Sequence, residues 1–266
     1  MFRQKSFSIK SIRLATSVSA ILIHLCASLS TAAILAAFTF LAWYPGSYSD
    51  MSGGKELFLL VLLIDVICGP LLTGIVFNSR KRNKELVLDI GLVVLLQISV
   101  LAYGVHSVWL ARPLFLVMEV DRFKIIALPD LEGADAQRAL STSSKEIKPE
   151  FWRGPLIVGI RPPKDAEERK SVLFESIQGG RDYAQRPEFY IPYNTAIAEN
   201  TFLRAKPIAA YVAKYPDKRD IIEAIALRKK LSIQQLRFLP VVGRQDWVAV
   251  LNPDGGIADF LPGDGF

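Results

Sequence analysis

Polar and apolar residues follow two regimes along this chain. Over the first 111 residues, long apolar stretches at Leu14–Trp43, Leu57–Phe77 and Leu86–Ala111 are broken only by short charged or Gly/Pro segments. As a helix rising about 1.5 Å per residue, each is long enough to cross about 30 Å of hydrocarbon. One such stretch is compatible with a buried helix of a soluble protein. Three in succession predict three membrane spans, at about 14–43, 57–77 and 86–111. From residue 112 onward the pattern changes to short apolar runs separated by turn residues and charge, which predicts a folded domain over residues 112–266.

Within that domain Leu114–Val120, continued by Arg122–Ile126, is rich in β-branched and aromatic residues and reads as a strand entering directly from the third span. Residues 129–155 read as loop, including Ser141-Thr142-Ser143-Ser144-Lys145, where a hydroxyl and a lysine lie close in sequence but in turn-rich surroundings. Leu156–Ile160 is a short apolar strand closed by Arg161-Pro162-Pro163. Lys164–Gln178 has the spacing of a helix ended by Gly179-Gly180. A second helix is predicted at Asp217–Leu231, with Asp217 as its N-terminal cap and Arg228-Lys229-Lys230 complementing its C-terminal dipole. Leu236–Val242, Trp247–Leu251 and Ile257–Leu261 read as strands, the last two joined by the turn sequence Asn252-Pro253-Asp254-Gly255-Gly256. The fold class expected is a membrane protein with three transmembrane α-helices followed by a C-terminal α+β domain.

Basic residues orient the spans. Arg3, Lys5, Lys10 and Arg13 precede the first, only Lys55 lies between the first and second, and Arg80, Lys81, Arg82 and Lys84 lie between the second and third. Residues 1–13 and the second connection are therefore expected in the cytoplasm, and residues 112–266 on the far side. The basic residues ahead of the first span resemble the start of a signal peptide, but the apolar run exceeds the usual 7–15 residues, so it reads as an anchor that stays. Nine of the 32 Lys and Arg and five of the 26 Asp and Glu precede residue 112, which leaves the domain nearly neutral, with 23 basic against 21 acidic side chains. That balance gives no nucleic-acid footprint.

Cys26, Cys68 and His24 fall inside the spans and His106 near the outer end of the third, so residues 112–266 contain neither residue type. A disulfide, a Cys/His zinc site and a histidine-based triad are thereby excluded there, and the sequence calls for no metal or cofactor. No G-x-S-x-G, Walker loop or G-x-G-x-x-G is present.

Asp65 stands near the middle of the second span, where an ionisable group must face protein or water. Pro70 follows, frees the carbonyl of Val66 and is expected to bend the helix. Gln97, at comparable depth in the third span, is the expected hydrogen-bond partner of Asp65, although contact with a partner's helix or a proton pathway are alternatives. In the first span Ser28, Ala32 and Ala36 repeat at four-residue spacing, a face that lets another helix approach closely, either from this chain or from a partner.

The first span ending in Trp43-Tyr44-Pro45, the run Asp65-Val66-Ile67-Cys68-Gly69-Pro70-Leu71-Leu72-Thr73 and the passage Arg112-Pro113-Leu114-Phe115-Leu116-Val117-Met118-Glu119-Val120-Asp121-Arg122-Phe123 resemble the TfpX/TfpZ family of type IV pilin accessory proteins. The resemblance spans essentially the whole chain. It implies a bacterial inner-membrane protein, with its C-terminal domain in the periplasm, that assists assembly of a cognate type IV major pilin without catalysis. Membrane lipids and that pilin are the partners it implies. Tyr183, Arg186, Tyr190 and Tyr193, in a Pro-containing loop, are the candidate pilin contacts, with packing of the loop as the alternative. The rival from another class is a membrane-bound enzyme acting on pilin or an envelope glycan through carboxylates such as Glu119, Asp121, Glu167, Glu168 or Asp254.

The charge pattern predicts that a reporter active only outside the cytosol works when fused after Phe266 or near Gly53 and fails near Lys81. Activity at Lys81 would overturn the three-span arrangement.

Overall fold

The structure, a computed structural model, describes residues 3–77, 82–131, 133–135, 141 and 147–266, with the backbone alone at 3–17 and 83. The loop residues Arg80, Lys81 and most of Ser141–Lys145 lie outside them. The chain divides into two compact units: one runs to Leu41 and resumes over Lys55–Trp109, and the other comprises Ala42–Gly54 and Leu110–Phe266.

The first unit holds three long apolar helices. Helix α1 (Arg3–Phe38) continues into a π-helical turn at Thr39–Trp43. A short helix α2 (Tyr48–Met51) follows, then α3 (Gly54–Val76) and α4 (Asn83–Leu110). Val18–Trp43, Gly54–Val76 and Lys84–Leu110 are each long and apolar enough to cross a membrane. Most of their surface faces outward, as at Leu41, Leu60, Ile67, Ile75, Val87 and Leu95. A soluble monomer does not leave an apolar patch of this extent in water, and hydrocarbon is the solvent that suits it. Pro70 sits inside α3, which remains continuous through it.

The second unit is built on an eight-stranded mixed sheet. Its strands are β1 (Pro113–Met118), β2 (Phe123–Ala127), β3 (Leu156–Ile160), β4 (Tyr190–Pro192), β5 (Lys206–Pro207), β6 (Arg237–Val242), β7 (Asp246–Leu251) and β8 (Ile257–Pro262). They lie in the order β4-β3-β1-β2-β6-β7-β8, with β5 paired to β6. The β1/β3 and β2/β6 pairs are parallel and the other pairs antiparallel. Side-chain alternation divides the core between two faces. Leu116, Met118, Leu239, Val241, Ala249 and Leu251 point to one face. Phe238, Val248 and Val250 point to the other, which helices α7 (Ile208–Lys214) and α8 (Arg219–Lys229) cover with Ile208, Tyr211, Ile222 and Ile225. All six residues of β1 are buried, as a strand covered on both sides requires.

The cover on the first face has a distant source in sequence. Met51, fully buried, and Tyr48 belong to that cluster, although they lie between the first two long helices. The Arg244 amide at the β6–β7 turn donates to the Met51 carbonyl at 2.8 Å, and Tyr48 meets Phe260 edge-on at 5.2 Å. Tyr44 is fully buried too, and burial pushes its phenol well above the ordinary tyrosine range. The segment Ala42–Gly54 is thus part of the sheet unit.

Several expectations need correction. Residues 114–126 form a hairpin: the Glu119 amide donates to the Arg122 carbonyl, and the chain reverses at Val120–Asp121. The helix expected from Asp217 begins at Arg219 after a 3₁₀ turn, and its N-cap is Lys218, which makes no side-chain capping bond. Two helices, α6 (Thr195–Arg204) and α7, occupy a stretch to which no element is assigned from the residue pattern. Helix α5 (Ala166–Ile177) falls where its spacing predicts, with the Asp165 carboxylate accepting from the Glu168 amide and Gly179 left-handed after its end.

Because Met51 is enclosed by the sheet unit, Met51→Ala is expected to destabilise that unit by about 2–5 kcal/mol, as core truncations do. The corresponding drop in melting temperature, measured on the detergent-solubilised chain, is roughly 2–4 °C per kcal/mol. Outward-facing Leu60→Ala should leave it unchanged. A null effect of Met51→Ala means the segment only links two helices.

Candidate functional site

Small residues set the helix register of the first unit. Gly69 of α3 faces Gln97 of α4 so closely that an added Cβ would collide with the Gln97 amide, and Gly104 receives Val61 in the same way. This register brings Leu101, one turn beyond Gln97, opposite Asp65. The expected Asp65–Gln97 bond therefore does not form. Both polar atoms of the Gln97 amide are shielded from water and have no hydrogen-bond partner among the described residues. Equal depth was a poor guide, because two helices meet where their smallest side chains let them, and one turn displaces a group by about 5 Å.

Asp65 is buried and borders a small cavity lined by Ala32, Thr39, Phe58, Val61, Leu101 and Val108 among others. The space open to water centres is about 10 Å³, room for about one water. About two turns further along α3, His24 Nδ1 lies 2.6 Å from Thr73 Oγ1. His24 Nε2 and the Gln97 amide both crowd Gly69, one turn from Asp65 on α3. Asp65, His24, Thr73 and Gln97 thus form a loose polar band between three helices. His24 and Thr73 were missed as members, and Gly69 and Gly74, which bracket Thr73 in sequence, were the available signal of close approach.

Ser28 and Ala32 are buried and Ala36 is half-buried, so this stripe of α1 turns inward, with Ala32 on the wall of the Asp65 cavity. Its small residues are taken up by the chain's own helices.

In the sheet unit the candidate contact loop is packed inward, which corrects the expectation of exposed anchors. Tyr190 is buried, its hydroxyl donates to the Ala184 carbonyl, and burial raises its pKa. Arg186 is buried and paired with Glu175. Tyr193 is half-buried, and its hydroxyl donates to the Gly255 carbonyl at 2.9 Å. Tyr183 packs edge-on against Phe189 at 5.1 Å. These aromatic rings fill the volume under the loop, where burying them contributes more than display does.

The carboxylates serve local structure. Two hydrogen bonds from the Arg161 guanidinium, then the Lys164 amide, hold Glu168 down at about 2. Glu119 is half-buried, accepts from the Ala184 amide, and is raised by its desolvation. Asp121 pairs with Arg122 at 2.8 Å, and Asp254 accepts from the Gly256 amide. Among the described residues no three His, Cys, Asp or Glu side chains gather as a metal ion needs.

Surface that is apolar and outward lies elsewhere. Helix α5 buries only Val172 and exposes Leu173, Phe174 and Ile177. Its apolar spacing was legible, but nothing in it distinguished a face turned to the core from one turned outward.

A protein family described as "Fimbrial assembly protein FimB" matches residues 12–53. The fimbrial assembly protein of serogroup I from Dichelobacter nodosus is 35% identical over 251 residues, 92% of this chain and 94% of that protein. The serogroup E1 protein of the same organism is 34% identical over the same shares, and that of serogroups C1 and C2 is 43% identical over 109 residues, 41% of this chain and 83% of that protein. No solved structure matches.

The glycine notch yields a test. Gly69→Ala should destabilise the helical unit, Gln97→Ala should be close to neutral because its amide is unbonded, and the pair should recover most of the loss. A coupling above about 0.5 kcal/mol in detergent melts is expected; additivity would mean the two residues do not touch.

Proposed function

The chain belongs to the fimbrial assembly protein family, and on that premise we propose that it is a non-catalytic accessory factor that helps a type IV major pilin become assembled. In this reading it is a multi-pass protein of the bacterial inner membrane. Its N-terminus and second connection face the cytoplasm, and its sheet unit stands in the periplasm. The observation that carries the reading is the match, over nearly its whole length, to relatives named fimbrial assembly proteins.

A pilin awaiting assembly has a helix in the membrane and a globular head outside it. The long helices here offer wide outward apolar faces to such a helix, and α5 offers Leu173, Phe174 and Ile177 to the head. Contact in both solvents holds one client before its polymerisation, and it needs no reactive side chain. The local structural duties of Glu119, Asp121, Glu168 and Asp254 support a binding role over hydrolysis.

Deleting the gene should abolish surface pili while total pilin remains detectable. A photocrosslinking residue at Phe174 should capture pilin, and Asp65→Leu should accumulate normally because Asp65 and Gln97 are not bonded to each other among the described residues. Glu119→Gln or Asp254→Asn that abolishes pili, stays folded and still captures pilin would sink the accessory reading in favour of an enzyme.

A further inference from the structure

We propose that the loop Glu150–Arg153 is a second membrane contact, with Phe151 and Trp152 seated in the interfacial layer of the leaflet where the first and third spans end. The inference rests on the three-span reading above. Its starting point is how the loop is tied. Trp43, the last residue of the first apolar stretch, donates its indole N–H to the Phe151 carbonyl at 3.0 Å and meets the Phe151 ring edge-on at 5.8 Å. Arg112 follows the third stretch by two residues. It is buried, and its guanidinium donates to the carbonyls of Glu150 and Phe151, both at 3.1 Å, while lying 5.7 Å from the Phe151 ring. Gly154 has no side chain where the Pro45 ring passes, and a Cβ there would collide with it.

The loop is therefore bonded to the residues at which two spans leave the hydrocarbon, and it shares their depth. Depth decides what its exposed side chains meet. Trp152 is 68% exposed and Phe151 44%. They meet edge-on at 4.6 Å, so their exposed surfaces form one aromatic patch. Tryptophan at headgroup depth satisfies both halves of its ring, the apolar body toward the acyl chains and the N–H toward water and esters. Lys148 and Arg153, both exposed, flank the patch with positive charge on the side of the lipid phosphates. The long apolar stretches announced three anchors, and this fourth, short one carries no signal of length. Its signal is an aromatic pair whose backbone is held by the span ends.

Spin labels on single cysteines, in a background of Cys26→Ala and Cys68→Ala, measure depth in vesicles of phosphatidylethanolamine and phosphatidylglycerol containing the full chain. The ratio of collisions with oxygen to collisions with a nickel chelate rises with depth. A label at Trp152→Cys should give a ratio several-fold above one at Leu227→Cys, exposed on α8, and below one on Cys68 restored in α3. Equality of positions 152 and 227 while position 68 reads hydrocarbon overturns the loop contact and leaves the three spans intact. A reading of water at position 68 overturns the spans and the loop contact together. Since the label replaces the ring in question, wild-type fluorescence supplies a second measure. Lipids brominated near the carbonyls should quench the wild type measurably more than Trp152→Phe, and equal quenching overturns the proposal.

Discussion

A sheet covered on both faces needs a layer on each side, and here part of one layer is borrowed from between two long helices. Met51 fills the face built by Leu116, Leu239 and Ala249, and its carbonyl accepts from the Arg244 amide. Remove that residue and the strands of this core cluster face a void; keep it, and the segment Ala42–Gly54 is tied to the strands. Arg112 acts in the same sense from the other chain passage, since its buried guanidinium holds the carbonyls of Glu150 and Phe151. The positive charge just beyond the third long helix is thereby taken up by the fold.

The helical unit follows another economy. In the three-span reading its solvent is lipid, as apolar as leucine, so close approach and dispersion matter more than the hydrophobic effect. Gly69 and Gly104 admit Gln97 and Val61, and the buried faces are few. The register chosen by these notches leaves Asp65 beside a cavity for about one water and Gln97 without a bond among the described residues. Buried polar groups with no bond are a liability for a protein selected only for stability.

What the sequence disclosed depended on the range of the signal. The three long apolar helices, α5 and the strands β6 to β8 are written in local periodicity and in the turn Asn252–Gly256. The reversal at Val120–Asp121 carries no glycine or proline, so the hairpin read as one strand. Asp217 looked like a cap, yet tertiary packing starts α8 two residues later on Lys218. Asn194, whose side chain accepts from the Ile197 amide, was a usable start signal for α6. Of the candidate site residues, burial of Tyr190 and Arg186 and the Gln97 offset are long-range outcomes, set by which surfaces meet, and no spacing rule encodes them.

The inclusion of Ala42–Gly54 in the sheet unit also orders events during synthesis. Met51 leaves the ribosome before α3 and α4, and the partners that enclose it, from Leu116 to Leu251, are made only afterwards. Pairing across such a separation carries a high entropic cost and folds slowly. The sheet therefore cannot close as an independent C-terminal module while the helical part is still being made. A chain in which Ala42–Gly54 does not reach the strands leaves one face of its β-sheet partly uncovered.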